Sequence, residues 1–178
     1  MTPEEYFAAE EISPIRREYI RGEVYPMLAS TPAHNMITLN LATILRKQVR
    51  GTKGHVFVQD IKIRIETVDA FYYPDLTVTC DPRDSQVINS FIRYPCLIVE
   101  VLSESTEAFD RGDKFADYRQ IPTLKEYLII SQTRPHVECF RRNERGRWEL
   151  YSYHALEQIQ LTSLNLRIDM ATLYEDVW

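Results

Sequence analysis

The chain reads as a mixed α/β (α+β) domain: a mixed β-sheet flanked by helices, with an added β-hairpin region. Three observations predict this. After Thr31-Pro32, the apolar residues Ile37, Leu41, Ile44, Leu45 and Val49 recur at helical spacing. Short β-branched runs follow, among them Cys96-Leu97-Ile98-Val99-Glu100-Val101-Leu102. Helical signals stand first and last, with the β-rich stretch between them. At 178 residues the chain is long enough for one sizeable core, so 1–178 is read as a single domain. With 44% hydrophobic and 26% charged residues, disorder is not indicated.

Thr2 followed by Pro3, Glu4 and Glu5 is a helix start, with a capping hydroxyl, a proline at the first position and acids at the positive dipole end. That helix runs to about Ala9. Arg17 to Tyr25 alternates around Gly22 and reads as a hairpin or bulged strand pair. The longest helix runs from Pro32 to about Gly51. His55 to Ile65 reads as one strand whose parity changes at Gln59-Asp60, where a bulge is expected. Asp75–Cys80 and Cys96–Leu102 are strands, and the polar stretch from Asp81 to Arg93 between them is loop-like. Asp110-Arg111-Gly112-Asp113 leads into a helix that runs to about Gln120 and stops before Pro122. Glu126–Ile130 is a strand. Val137–Arg141 and Trp148–Tyr153 form a hairpin across Asn143-Glu144-Arg145-Gly146. A strand near Leu164–Ile168 and a short helix, Met170–Tyr174, close the chain.

The net charge of −5 argues against non-specific coating of nucleic acid, which needs a basic surface, but a site built of carboxylates lowers net charge by itself. Two basic clusters, Arg46/Lys47/Arg50/Lys53 and Arg141/Arg142/Arg145/Arg147, read as solvated faces. The three cysteines, Cys80, Cys96 and Cys139, sit in or beside apolar runs and lack a C-x-x-C spacing; each is expected to be a buried small hydrophobe in a reducing compartment. No stretch has the length and apolarity of a membrane helix, and the N-terminus lacks a signal pattern, so a cytoplasmic protein without membrane contact is expected.

The chemistry concentrates in two acids and an amine. Asp75 follows Pro74 at a strand start, where turn chemistry is the ordinary explanation. Glu100 interrupts an apolar run of the kind buried on both faces of a sheet. A charge there needs a partner, either a metal or an arginine such as Arg93 or Arg111. Lys114 lies on the next helix, where the ordinary role is an exposed pair with Asp110 or Asp117. Held together, two acids and one amine are what metal-assisted phosphodiester cleavage requires. Glu23, just after Gly22, is either a surface residue or a further acid over the site. His34, in the first turn of the long helix, is a helix-terminus partner more readily than a ligand. No GxGxxG or Walker loop is present, so no nucleotide cofactor is indicated.

An ordered series of motifs resembles the bacterial "putative restriction endonuclease" family, long labelled a domain of unknown function, within the PD-(D/E)XK nuclease superfamily. It runs through Glu18-Tyr19-Ile20-Arg21-Gly22-Glu23, Pro32-Ala33-His34, Tyr73-Pro74-Asp75-Leu76 and Ile98-Val99-Glu100-Val101-Leu102-Ser103. It ends in Asp110-Arg111-Gly112-Asp113-Lys114-Phe115, Tyr118-Arg119, Ile121-Pro122 and Glu126-Tyr127-Leu128, covering about 15–155. The resemblance implies a restriction-endonuclease-like core with a four-stranded mixed sheet, a divalent metal site and phosphodiester hydrolysis. By position Asp75 is the motif aspartate and Glu100 the motif glutamate. The superfamily's usual lysine two residues on is Leu102 here, and Lys114 on the following helix takes its place. Glu23 and His34 match recurrent family positions.

On this reading Asp75, Glu100 and the backbone carbonyl of Val101 hold Mg²⁺ or Mn²⁺, and Lys114 orients the attacking water in an endonuclease acting on DNA. A domain of this size spans part of a duplex site, so a homodimer is expected. The alternatives are a non-catalytic nuclease-fold module for DNA binding or protein interaction, and an RNA- or structure-selective nuclease.

Overall fold

A computed structural model describes residues 1–27, 29–84 and 90–178. The first half contains α1 (Pro3–Glu11), the hairpin β1 (Arg17–Ile20) and β2 (Glu23–Pro26), α2 (Pro32–Val49), β3 (His55–Val58), β4 (Lys62–Ile65), β5 (Ala70–Tyr72) and β6 (Leu76–Thr79). The second half contains β7 (Phe91–Ile92), β8 (Pro95–Leu102), α3 (Glu107–Arg111), α4 (Asp113–Tyr118), β9 (Glu126–Ser131), β10 (His136–Arg142), β11 (Trp148–His154), β12 (Gln158–Leu161), β13 (Leu166–Asp169) and α5 (Met170–Leu173).

The principal sheet runs β11-β10-β9-β8-β6-β3, with β8 and β9 parallel and the other neighbours antiparallel. The four-stranded mixed core that the resemblance implied is β9-β8-β6-β3, and the β10–β11 hairpin extends it. A second sheet runs β2-β1-β5-β4-β7, and β12–β13 form a separate ribbon. All of β8 is buried, as its continuous apolar run required. Its period of two splits the core: Leu97, Val99 and Val101 pack with Ile37, Leu41, Leu45 and Val49 of α2. Ile98 and Leu102 pack with Phe115 and Tyr118 of α4 and with Ile63, Ile65 and Tyr72 of the second sheet. Glu100 has the parity of that second face.

Local signals account for the element ends. Thr2 and Glu5 form a full capping box on α1, and the Thr31 side chain caps α2 ahead of Pro32. The β1–β2 turn is Arg21-Gly22, both at positive φ, so a two-residue hairpin fits the twist of its strands.

Several expectations are corrected. His55–Ile65 is not one bulged strand but two, β3 and β4, in different sheets; Gln59 takes a φ of 41° and the chain crosses between the sheets where the parity changes. The stretch from Asp81 to Arg93 contains a 3-10 turn at Pro82–Asp84 and the short β7, and its part at 85–89 lies outside the described residues. The helix expected after Asp110-Arg111-Gly112-Asp113 is α4, and an unanticipated short helix, α3, precedes it across a backbone break at Gly112. Cys80 is exposed, while Cys96 and Cys139 are buried. The sulfurs of Cys80 and Cys96 lie 3.8 Å apart, and burial followed by this neighbour pushes the Cys96 thiol up to about 12. Among the described residues no helix is long and apolar enough to cross a membrane.

Candidate active site

The site forms where the two sheets meet. Tyr73-Pro74-Asp75 carries the chain from β5 in one sheet to β6 in the other, so Asp75 stands at the crossover. One of its oxygens, Oδ2, accepts the backbone N–H of Val101 at 2.7 Å and faces Nε2 of His34 at 3.0 Å. Among the described residues its Oδ1 has no hydrogen-bond partner. A strand residue's N–H and C=O point to the same side, so the Val101 carbonyl also faces the Asp75 side and not β9.

Glu100 projects from β8 toward α4. Its Oε1 lies 2.8 Å from the Lys114 ammonium and accepts the Tyr118 hydroxyl at 2.8 Å. Lys114 is 5% exposed, so the exposed helical pair is not its role. The same ammonium reaches Glu18 Oε1 at 3.0 Å and Asp110 Oδ1 at 3.6 Å. The arginines that offered an ordinary partner for Glu100 are engaged elsewhere: Arg93 with Glu66, and Arg111 with Glu107 and Glu138.

Glu18, Glu100 and Asp110 are thus three buried acids sharing one buried lysine, and Asp75, paired with His34, is a fourth buried acid close to Glu100. Burial raises the Glu100 carboxyl well above its ordinary value; Lys114 opposes this, while Asp110, Asp75 and Glu18 add to it. Asp110 is raised by burial too. Burial alone would lower the Lys114 ammonium, yet the pull of Glu100, Glu18 and Asp110 lifts it well above the usual lysine range. Four acids around one ammonium leave an excess of negative charge in this place.

That excess fits a hard divalent cation. The donors that would hold it are the open oxygens of Asp75 and Glu100 and the Val101 carbonyl. Among the described residues no three or more His, Cys, Asp or Glu side chains form a metal cage. A set of two carboxylates suits Mg²⁺, which keeps several waters and shares its shell with substrate phosphate.

The structure brings Asp75, Glu100, Lys114 and His34 into this one cleft of about 1650 Å³. His34 also keeps its helix-terminus role, its backbone N–H donating to the Thr31 hydroxyl at 3.1 Å. Its Nδ1 is buried without a hydrogen-bond partner. Glu23 is not brought in: it lies exposed opposite Ile20 on β2, the edge strand of the second sheet. Glu18 holds the place instead, fixed by the Tyr73 N–H at 3.1 Å. Sequence reasoning gave Glu18 no role. Its parity with the inward-facing Ile20 was the available signal, masked because a strand acid beside a turn is ordinarily solvated.

A family model described as "Putative restriction endonuclease" matches residues 3–171. An uncharacterized Synechocystis protein, slr1290, is 37% identical over 174 residues, 98% of this chain and 91% of that protein. A second uncharacterized Synechocystis protein, sll1609, is 34% identical over 151 residues, 84% of this chain and 85% of the other. A crystal structure of a putative nuclease of the DUF820 group from Anabaena variabilis superposes with a TM-score of 0.82 at 14% identity, covering 100% of this chain and 99% of that one. The chain belongs to the Uma2 family of putative restriction endonucleases, and its fold is that of the Anabaena protein.

Proposed function

We propose that this member of the family is a Mg²⁺- or Mn²⁺-dependent endonuclease that hydrolyses DNA phosphodiester bonds, working as a homodimer in the cytoplasm. The observation that carries the reading is the Lys114 ammonium at 2.8 Å from Glu100, in a cleft where Asp75 is locked onto the Val101 backbone. Packing alone gives no reason to bury three further acids around that pair.

A divalent cation held by Asp75, Glu100 and the Val101 carbonyl supplies Lewis-acid polarisation of the scissile phosphate and lowers the pKa of water. The remaining chemistry belongs to the protein. The water oxygen attacks phosphorus, the P–O bond to the leaving oxygen breaks, and the proton that the water loses is matched by the one the leaving oxygen gains, so the products are a phosphate monoester and a hydroxyl. Lys114 stays protonated, so it donates hydrogen bonds and does not take the water's proton. Its charge offsets the negative charge that grows on the phosphoryl oxygens in the transition state. Tyr118 and the Tyr73 backbone fix Glu100 and Glu18, so Lys114 is aimed before substrate arrives.

The test is cleavage of pooled DNA and RNA with Mg²⁺ or Mn²⁺, beside Asp75→Ala. Cleavage of DNA by the wild type, lost in the variant and on chelation, is the expected result. Cleavage confined to RNA would move the substrate assignment. No cleavage of either pool would favour a binding module. Size-exclusion chromatography with light scattering reads the dimer directly.

A further inference from the structure

We propose that Arg134 is the anchor for the substrate's phosphodiester backbone, gripping a phosphate beside the scissile one. This rests on the nuclease reading and assigns the contact that holds the polyanion in an acidic cleft.

Five lysine or arginine side chains among the described residues line the cleft: Arg16, Arg21, Arg111, Lys114 and Arg134. Four are committed to carboxylates. Arg16 pairs with Asp60 at 3.0 Å, Arg21 with Asp117 at 2.8 Å, Arg111 with Glu107 at 2.9 Å, and Lys114 with Glu100 at 2.8 Å. Arg134 is exposed and has no ion pair among the described residues. Its positive charge is felt by the neighbouring His136.

Its position suits the task. Arg134 lies in the turn between β9 and β10, beyond the carboxyl ends of the parallel pair β8–β9, where open α/β sheets take ligands. The turn is braced. Gln132 Nε2 donates to the Leu102 carbonyl at 2.7 Å, tying it to the end of β8. The Thr133 N–H donates to the Ser131 hydroxyl at 3.3 Å, and the Trp178 indole donates to the Gln132 carbonyl at 3.2 Å. Glu100 pairs with Ile129 and Leu102 with Ser131, so this turn begins about 7 Å further along the strands than Glu100. A guanidinium rising from it meets a neighbouring phosphate and leaves the scissile one to Lys114. Its planar fork suits two phosphate oxygens. With one uncommitted cation, binding should depend weakly on salt and little on base sequence.

The experiment reads binding separately from cleavage. Fluorescence anisotropy follows a labelled DNA duplex on the full-length protein in Ca²⁺, an oxygen-seeking cation for the same donors, from about 50 to about 200 mM salt. Arg134→Ala should weaken binding by about fivefold to tenfold at low salt and flatten the log–log salt slope by about 0.9, the loss of one phosphate contact. Arg134→Lys should restore the slope, and Arg46→Ala on the far end of α2 should change nothing. In Mg²⁺, Arg134→Ala should raise KM and leave kcat. If the wild type binds and Arg134→Ala binds equally with the same slope, the anchor assignment is wrong and the nuclease reading stands. If Arg134→Ala loses the contact but the wild type cleaves nothing, the anchor stands and catalysis falls. If the wild type binds no nucleic acid at any salt, both fall.

Discussion

Two buried glutamates on neighbouring parallel strands have opposite meanings. Glu126 opens β9, is 0% exposed, and faces the α2 side of the sheet with Leu128 and Ile130. Glu100, near the end of β8, is 4% exposed and faces the other side. Glu126 is saturated. It accepts from Arg141 Nε at 2.8 Å, from the Thr162 N–H at 3.1 Å and hydroxyl at 3.2 Å, from the Ser163 N–H at 3.0 Å and from the Ser163 hydroxyl. These bonds clasp the turn between β12 and β13 onto the sheet. Glu100 spends one oxygen on Lys114 and Tyr118 and stands among acids. Burial makes a charge expensive; what distinguishes a structural carboxylate from a working one is whether the fold has supplied its full set of donors.

The largest effect should fall on activity. Glu100→Gln and Asp75→Ala should each remove metal-dependent cleavage to the detection limit of the assay. The metal-free fold should keep its melting temperature or gain, because an acid is removed from a surplus of acids. A Glu100 variant that unfolds, or one that keeps full cleavage, would erase the contrast with Glu126. Lys114→Ala should retain metal binding by calorimetry while cleavage slows by about 10²–10³-fold, the usual cost of removing one donor aimed at developing charge. An unchanged rate would show that Lys114 only neutralises the cluster.

The reverse experiment is Glu126→Ala. Cleavage per folded molecule should be unchanged, and stability should fall by about 3–5 kcal/mol in denaturant unfolding, because Arg141 and the Thr162 and Ser163 N–H groups lose their acceptor. A fall below about 1 kcal/mol would mean that water replaces the carboxylate at no great cost, and that saturation is not what fixes it there.

The sequence made Glu100 visible because one charge inside a seven-residue apolar run has no ordinary explanation. Long periodic segments were equally legible: α2 and the β10–β11 hairpin lie where their patterns put them. The short strands β5, β7 and β12 were not anticipated, since two to four residues give periodicity little to act on. The β3–β4 crossing looked like a bulge because a parity change does not say whether a strand bends or leaves its sheet. Glu18 stayed hidden for a different reason. Its burial comes from partners far along the chain, Tyr73 and Lys114, and its parity with Ile20 was masked because an acid beside a turn, like Glu23, ordinarily lies in the open. Glu126 was legible only as part of a strand, because the hydroxyls and N–H groups that satisfy it come from residues 162 and 163.

The smallest effect sharpens the comparison through pH. Glu100 and Asp110 hold their protons above the ordinary carboxylate values of 4.5 and 3.8, so the native state binds protons that the unfolded chain has released. Their contribution to metal-free stability is therefore complete below those values and declines as pH rises through the displaced native ones. Lys114 is also raised, so its contribution holds up to its ordinary value of 10.5 and is lost only above it. Metal-free protein should lose stability as pH rises from about 4.5 toward neutrality. Glu100→Gln should flatten most of that decline, and saturating Mg²⁺ should flatten it in the wild type by taking the proton's place. Unfolding midpoints in urea across that pH range, with and without Mg²⁺, check both. A wild-type slope that neither Mg²⁺ nor Glu100→Gln alters would place the titrating groups outside this cluster.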